Sequence, residues 1–218
     1  ALLRAIGADS ASAFGGALIL KSLPTIAISP YAGLVADRFS RKKIMIASDL
    51  LRAAVVLCFF LALIFPSAWF VYALVMAQSA LSGFFEPAKT ALLPDIVDPR
   101  ELTSANALGA ASWSAMLTVG AAAGGLVTEY LGWQAALGLD ALTYLLSAFL
   151  LWGVAEPQQE KVPRKEGGWS QTLEGFAYMR SRVEIWTLVL CKSGWNIAGG
   201  VTLMLTILGE GKFSLGGK

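Results

Sequence analysis

The sequence predicts an all-α fold, a polytopic bundle of transmembrane helices, and three observations predict it. Of 218 residues, 56% are hydrophobic and only 15% charged, with a mean hydropathy of +0.63. A soluble domain averages about 45–50% apolar and about 25% charged. The apolar residues run in long blocks rather than amphipathic stripes, so no water-facing surface can be drawn on them. The basic residues gather in alternate connectors between those blocks. A soluble enzyme is excluded on these grounds.

A hydrocarbon core of about 30 Å takes about 20 helical residues to cross. Six blocks meet that length: 14–36, 44–64, 69–88, 103–128, 133–154 and 184–208. Each is expected to be a helix, because lipid offers no partner to a strand edge or a loop carbonyl. Arg38, Arg41, Lys42 and Lys43 follow the first block; Lys89 and Arg100 follow the third. Lys161, Arg164, Lys165, Arg180 and Arg182 follow the fifth, whereas the connectors at 65–68 and 129–132 hold no lysine or arginine. By the positive-inside bias the basic side is cytoplasmic, in a multi-pass protein of the cell's inner (plasma) membrane. Trp69, Tyr130 and Trp133 fall at the opposite ends of their blocks, where interfacial aromatics belong.

This orientation puts both termini outside. Residues 1–13 lack an initiator methionine and are too short and charged for a signal peptide. The sequence is therefore expected to be an internal piece of a longer polytopic protein. Residues 1–155 would form a partial N-terminal bundle. Residues 156–183, charged and Pro/Gly-bearing, would be a cytoplasmic linker with an interfacial stretch around Trp169–Met179. Residues 184–218 would hold the truncated first helix of a second bundle.

Several chemistries are excluded. There is no histidine, and Cys58 and Cys191 lie inside apolar blocks, so no zinc spacing or disulfide framework can be assembled. No metal and no cofactor are expected. The spans hold isolated carboxylates but no convergent nucleophile and acid/base set, so the chain is not expected to be an enzyme. No G-x-x-x-x-G-K-[ST] loop occurs, so any ATP-driven version would need a separate ATPase. The scattered basic residues suit anionic lipid headgroups rather than nucleic acid.

The most informative segment is Gly33-Leu34-Val35-Ala36-Asp37-Arg38-Phe39-Ser40-Arg41-Lys42-Lys43. Asp37 ends one helix, where the dipole disfavours an anion, and Arg41 to Lys43 begin the next, where it disfavours cations. Neither placement helps its own helix. Asp37 can pair with Arg41 across the turn or with another helix N-terminus, and Gly33 admits a close neighbouring helix. The segment resembles the signature loop between the second and third helices of the major facilitator superfamily, G-x-L-A-D-R-x-G-R-K. Val35 stands for the Leu and Ser40 for the second Gly.

The resemblance extends along most of the chain. Leu23-Pro24, Ser29-Pro30, Arg52, Pro87-Ala88, Pro94-Asp95 and Ala105-Asn106-Ala107-Leu108 look like the branch of enterobactin exporters and macrolide-efflux proteins. On that likeness the chain runs from the end of the family's first helix through its seventh. The resemblance implies an incomplete major facilitator fold whose missing C-terminal half is a partner. It also gives Asp37 and Arg41 a place in a cytoplasmic charge network that holds one access state, with Gly33, Arg38 and Lys42 completing the gate motif. Gly120, Gly124 and Gly125 resemble the end of the family's antiporter motif, with Ala121 in place of its proline. Gly120 and Gly124 also form a small-xxx-small face suited to close helix packing.

Charges inside spans are costly and count as functional candidates. Asp49 and Arg52, three apart, can pair locally while Arg52 snorkels to the headgroups. Lys21 and Asp140 each lie seven residues in from the outer end of their span, about 10 Å at 1.5 Å per residue. Lys21 either snorkels or faces a polar path. Asp140 is too short to snorkel; it is a candidate coupling carboxylate, or it bonds Thr143 or a neighbouring helix. Gln78 and Ser82, one turn apart, and Asn196 either line a solute path or bond between helices. The expected function is secondary active transport by alternating access, with efflux of a small amphipathic solute and a coupling proton. Alternatives are a lipid-handling transporter of the same superfamily, for example for lysophospholipid, and a permease subunit energised by a separate ATPase.

Overall fold

The computed structural model describes residues 23–25, 27–28, 31–65, 67–155, 168–187 and 190–191. Most of the predicted spans 14–36 and 184–208 lies outside these residues, as do Lys21 and Asn196. The chain divides into two units, Ala1–Arg164 and Lys165–Lys218.

In the first unit a helical segment, 31–38, leads into α1, Arg41–Cys58, which continues as a 3₁₀ helix over Phe59–Leu63. Then follow α2 (Ala68–Ile96), α3 (Leu102–Tyr130) and α4 (Gly132–Trp152). Among the described residues no strand occurs, and the fold is all-α. Four helices are long and apolar enough to cross a membrane: Arg41–Ala62, Ala68–Ile96, Leu102–Tyr130 and Gly132–Trp152. They correspond to the second through fifth predicted spans.

Local chemistry explains the boundaries. Ser40 caps α1, its hydroxyl accepting from the Lys43 N–H at 3.2 Å. The predicted third span stops at residue 88, but α2 runs on through Pro87 and Pro94 to Ile96. Between the two prolines the Thr90 hydroxyl adds a bond within the helix, donating to the Glu86 carbonyl at 2.9 Å. Leu131 alone separates α3 from α4, its N–H bonded to the Val127 carbonyl at 2.9 Å. The reversal is completed by Gly132 at φ +83°, a left-handed conformation that glycine takes without steric cost.

The helices meet through small side chains. α1 packs on both α2 and α4, while α3 packs on α4. The buried apolar residues include Ala32, Ala36, Ala53, Ala88, Ala141 and Ala148. Lipid tails are as apolar as leucine, so burying a large side chain between membrane helices gains little. Close backbone approach gains dispersion instead. Arg41, Asp95 and Trp152 share one end of this unit, and Phe60 and Trp133 meet at the other with ring centroids 6.2 Å apart. α1 therefore runs opposite to both α2 and α4. α3 has no buried residue, and its Trp113, Met116 and Leu117 are exposed.

In the second unit α5, Gly168–Ser181, covers the stretch expected to be interfacial. Phe176 packs edge-on against Trp186, and the Arg182 guanidinium lies 5.8 Å from the Tyr178 ring centroid.

Candidate functional site

Two polar clusters stand out in the first unit. One lies at the end where α1 begins. Arg41 forms an ion pair with Asp95 on α2 and donates to the Ala91 carbonyl at 2.8 Å. Its neighbour Lys42 donates to the Trp152 and Val154 carbonyls, both at 2.7 Å, and so caps the C-terminus of α4. A cation at a helix C-terminus is favourable both as a donor to open carbonyls and through the dipole. The basic run that burdens its own helix thus serves two others. α1, α2 and α4 are tied together at one end by adjacent residues.

Asp37 and Arg38 are exposed at the end of segment 31–38, just before this clasp. A Cβ placed on Gly33 meets nothing within 4 Å, so the close helix approach expected there does not occur among the described residues. The same holds at Gly120, Gly124 and Gly125. The reason is the placement of α3, which touches α4 but leaves its glycine face open.

The second cluster lies in the middle of the helices. Arg52 is 11 residues from the start of α1, about 16 Å at 1.5 Å per residue. It does not snorkel. Its guanidinium donates to the Tyr144 hydroxyl at 2.9 Å, stacks 4.3 Å from that ring's centroid and lies 5.6 Å from the Phe85 centroid. The aromatic faces and the phenol oxygen hold the cation inside the unit, so it has no reason to reach for headgroups. Gln78 on α2 donates to the same Tyr144 oxygen at 3.0 Å. Gln78 thereby joins α2 to α4.

Asp49 sits one turn before Arg52, with its side chain 2% exposed. One carboxylate oxygen lies 3.6 Å from Arg52. Asp49 Oδ2, Arg52 Nε and Gln78 Oε1 are buried without a hydrogen-bond partner among the described residues. Asp140 is exposed on α4, one turn before Tyr144, within the electrostatic reach of Arg52. Thr143 donates at 2.7 Å to the main-chain carbonyl of Asp140, not to its carboxylate. Ser82 is half-buried. Among the described residues no group of acidic or thiol ligands is arranged to hold a metal.

Sequence reasoning flagged Arg41, Lys42, Asp49, Arg52, Gln78 and Asp140. It missed Asp95 as the partner of Arg41, and Tyr144 as that of Arg52 and Gln78. The Asp95 signal was a second charge at the same predicted membrane face. Tyr144 signalled only through its phenol within an apolar block.

The Major Facilitator Superfamily sequence model matches residues 2–217. The chain belongs to that family. Among curated relatives, the chain is 28% identical over 154 residues to the uncharacterized MFS-type transporter YkuC of Bacillus subtilis (strain 168), covering 71% of this chain and 36% of YkuC. It is 31% identical over 140 residues to BacE of the same strain, named as a proposed bacilysin exporter, covering 62% of this chain and 34% of BacE. It is 32% identical over 124 residues to the lysophospholipid transporter LplT of Yersinia pestis (strain Pestoides F), covering 56% of this chain and 28% of LplT. The chain thus spans about a third of the length of the curated relatives it matches. No solved structure matches it. This major facilitator chain is an integral membrane protein.

Proposed function

We propose that this chain is part of a secondary active transporter that exports a small amphipathic solute by alternating access, driven by a proton gradient. The carrying observation is the clasp in which Arg41 and Lys42 bind the ends of α2 and α4. A transporter of this kind rocks two bundles around a central site, and each bundle must move as one body. The clasp gives α1, α2 and α4 that unity at one end, and exposed Asp37 and Arg38 stand beside it for contact with a second half. In this reading the clasp end faces the cytoplasm of a cell whose plasma membrane holds the protein. Its partners are the solute, the bilayer and a C-terminal half of the same chain. No chemical step is performed on the solute.

The relative named for bacilysin export supports a small exported solute. The relative named for lysophospholipid transport supports a second reading, movement of an amphipathic lipid. A permease powered by a separate ATPase is the third class. Vesicles containing the intact protein separate them, with ethidium and a fluorescent lysophospholipid as probes. Export predicts ethidium movement that follows an imposed proton gradient and stops when the gradient is collapsed. Lysophospholipid movement without ethidium movement favours the second reading. Movement that needs ATP and ignores the gradient overturns the proposal.

A further inference from the structure

The polar groups enclosed by α1, α2 and α4 are incompletely matched. The charged and titratable groups there are Asp49 and Arg52 on α1 and Tyr144 on α4, while Asp140 of α4 is exposed one turn before Tyr144. α2 contributes the neutral Gln78. One carboxylate and one guanidinium are therefore enclosed inside helices that cross a membrane. Arg52 gives its short hydrogen bond and its stacking to Tyr144. Asp49 receives only a 3.6 Å contact from it, well beyond the roughly 2.7–2.9 Å of a charge-assisted hydrogen bond. Asp49 Oδ2 has no donor among the described residues, and neither Gln78 Oε1 nor Arg52 Nε has a partner there.

A buried carboxylate so weakly paired is costly to keep ionised, and ionisable residues at such depth mark proton pathways. A proton bound at Oδ2 neutralises Asp49 and turns an unpaired acceptor into an O–H. The only bond formed is that O–H, and its reversal returns the proton. Asp140 lies exposed one turn from Tyr144.

We propose that Asp49 is the proton-binding residue of this half of the transporter. The proposal rests on the transporter reading above and names the site through which the gradient acts. Sequence alone pointed to Asp140 for that role. The structure assigns the enclosed position to Asp49 and leaves Asp140 exposed.

The test is infrared difference spectroscopy of the intact protein in lipid across a pH series, which needs no solute. The wild type is expected to show a protonated-carboxyl C=O band that titrates. Asp49→Asn is expected to lose that band, Asp140→Asn to keep it, and Asp49→Glu to restore it at a shifted frequency. Size-exclusion chromatography checks that each variant is folded, and the glutamate variant carries the test should the asparagine one aggregate. A band unchanged in Asp49→Asn, a band lost only in Asp140→Asn, or no titrating carboxyl band in the wild type overturns the proposal. Ethidium efflux from proteoliposomes is measured in parallel. Asp49→Asn is expected to lose gradient-driven efflux and to keep downhill exchange. A band that depends on Asp49 in a wild-type protein that moves no ethidium supports the proton site and counts against the export reading alone.

Discussion

Arg41 and Arg52 lie on the same helix, three turns apart, and are held in opposite ways. Arg41 meets a carboxylate directly, Asp95, and adds a main-chain carbonyl; both side chains of the pair keep some contact with the surroundings. Arg52 is more fully committed to a phenol and two aromatic faces than to the carboxylate one turn away. At the helix end, water and headgroups absorb any imperfection in pairing, so a static clasp costs little. In the middle nothing absorbs it, and the same residue types leave buried atoms unmatched. The end cluster is suited to holding helices together, the middle one to changing state.

That contrast can be broken by substitution. The largest effect is expected at Arg52. Arg52→Leu leaves Asp49 enclosed without its cation, and removal of one partner of a buried pair costs about 3–5 kcal/mol. The thermal midpoint of the protein in detergent should fall sharply, and adding Asp49→Asn to Arg52→Leu should recover much of it. An unchanged midpoint in Arg52→Leu would mean that Asp49 is not held as described. Tyr144→Phe comes next. It keeps the ring under Arg52 but strands two donors, those of Arg52 and Gln78, at about 1–3 kcal/mol.

Smaller effects belong to the end cluster. A double-mutant cycle on Arg41→Ala and Asp95→Ala should return a coupling of about 1–2 kcal/mol, within the range of paired contacting residues. A coupling near zero would remove Asp95 from the clasp. Lys42→Met should cost the least, about 0.3–1 kcal/mol, because only a helix-end interaction is lost. Its effect should shrink as salt is raised, whereas that of Arg52→Leu should not.

The spans were legible because the bilayer imposes a length of apolar sequence that composition alone reveals. The far end of α2 was less so. Pro87, Pro94, Glu86 and Lys89 break the apolar run, although the helix continues through them. The basic run at Arg41–Lys43 was legible as a motif, and its local conflict with the α1 dipole was legible too. Its resolution was not. Asp95 is 54 residues away and the end of α4 is more than 100, so only the fold brings them to Arg41 and Lys42. Depth misled the reading of Arg52. Counting along one helix made snorkelling reasonable, because the acceptor that holds it inside, Tyr144, comes 92 residues later. Asp140 drew notice as a charge in an apolar block, while Asp49 was discounted because a nearby arginine seemed to explain it. The glycines of α3 read as a packing face, yet among the described residues nothing packs there.

Both clusters take their roles from the direction in which the helices cross. Single cysteines at Arg38 and at exposed Leu131, in a background with Cys58 and Cys191 replaced, test this most directly in sealed right-side-out vesicles. A membrane-impermeant thiol reagent should label position 131 from outside and reach position 38 only after permeabilisation. Labelling of position 38 in intact vesicles would contradict the cytoplasmic clasp and the gating role built on it.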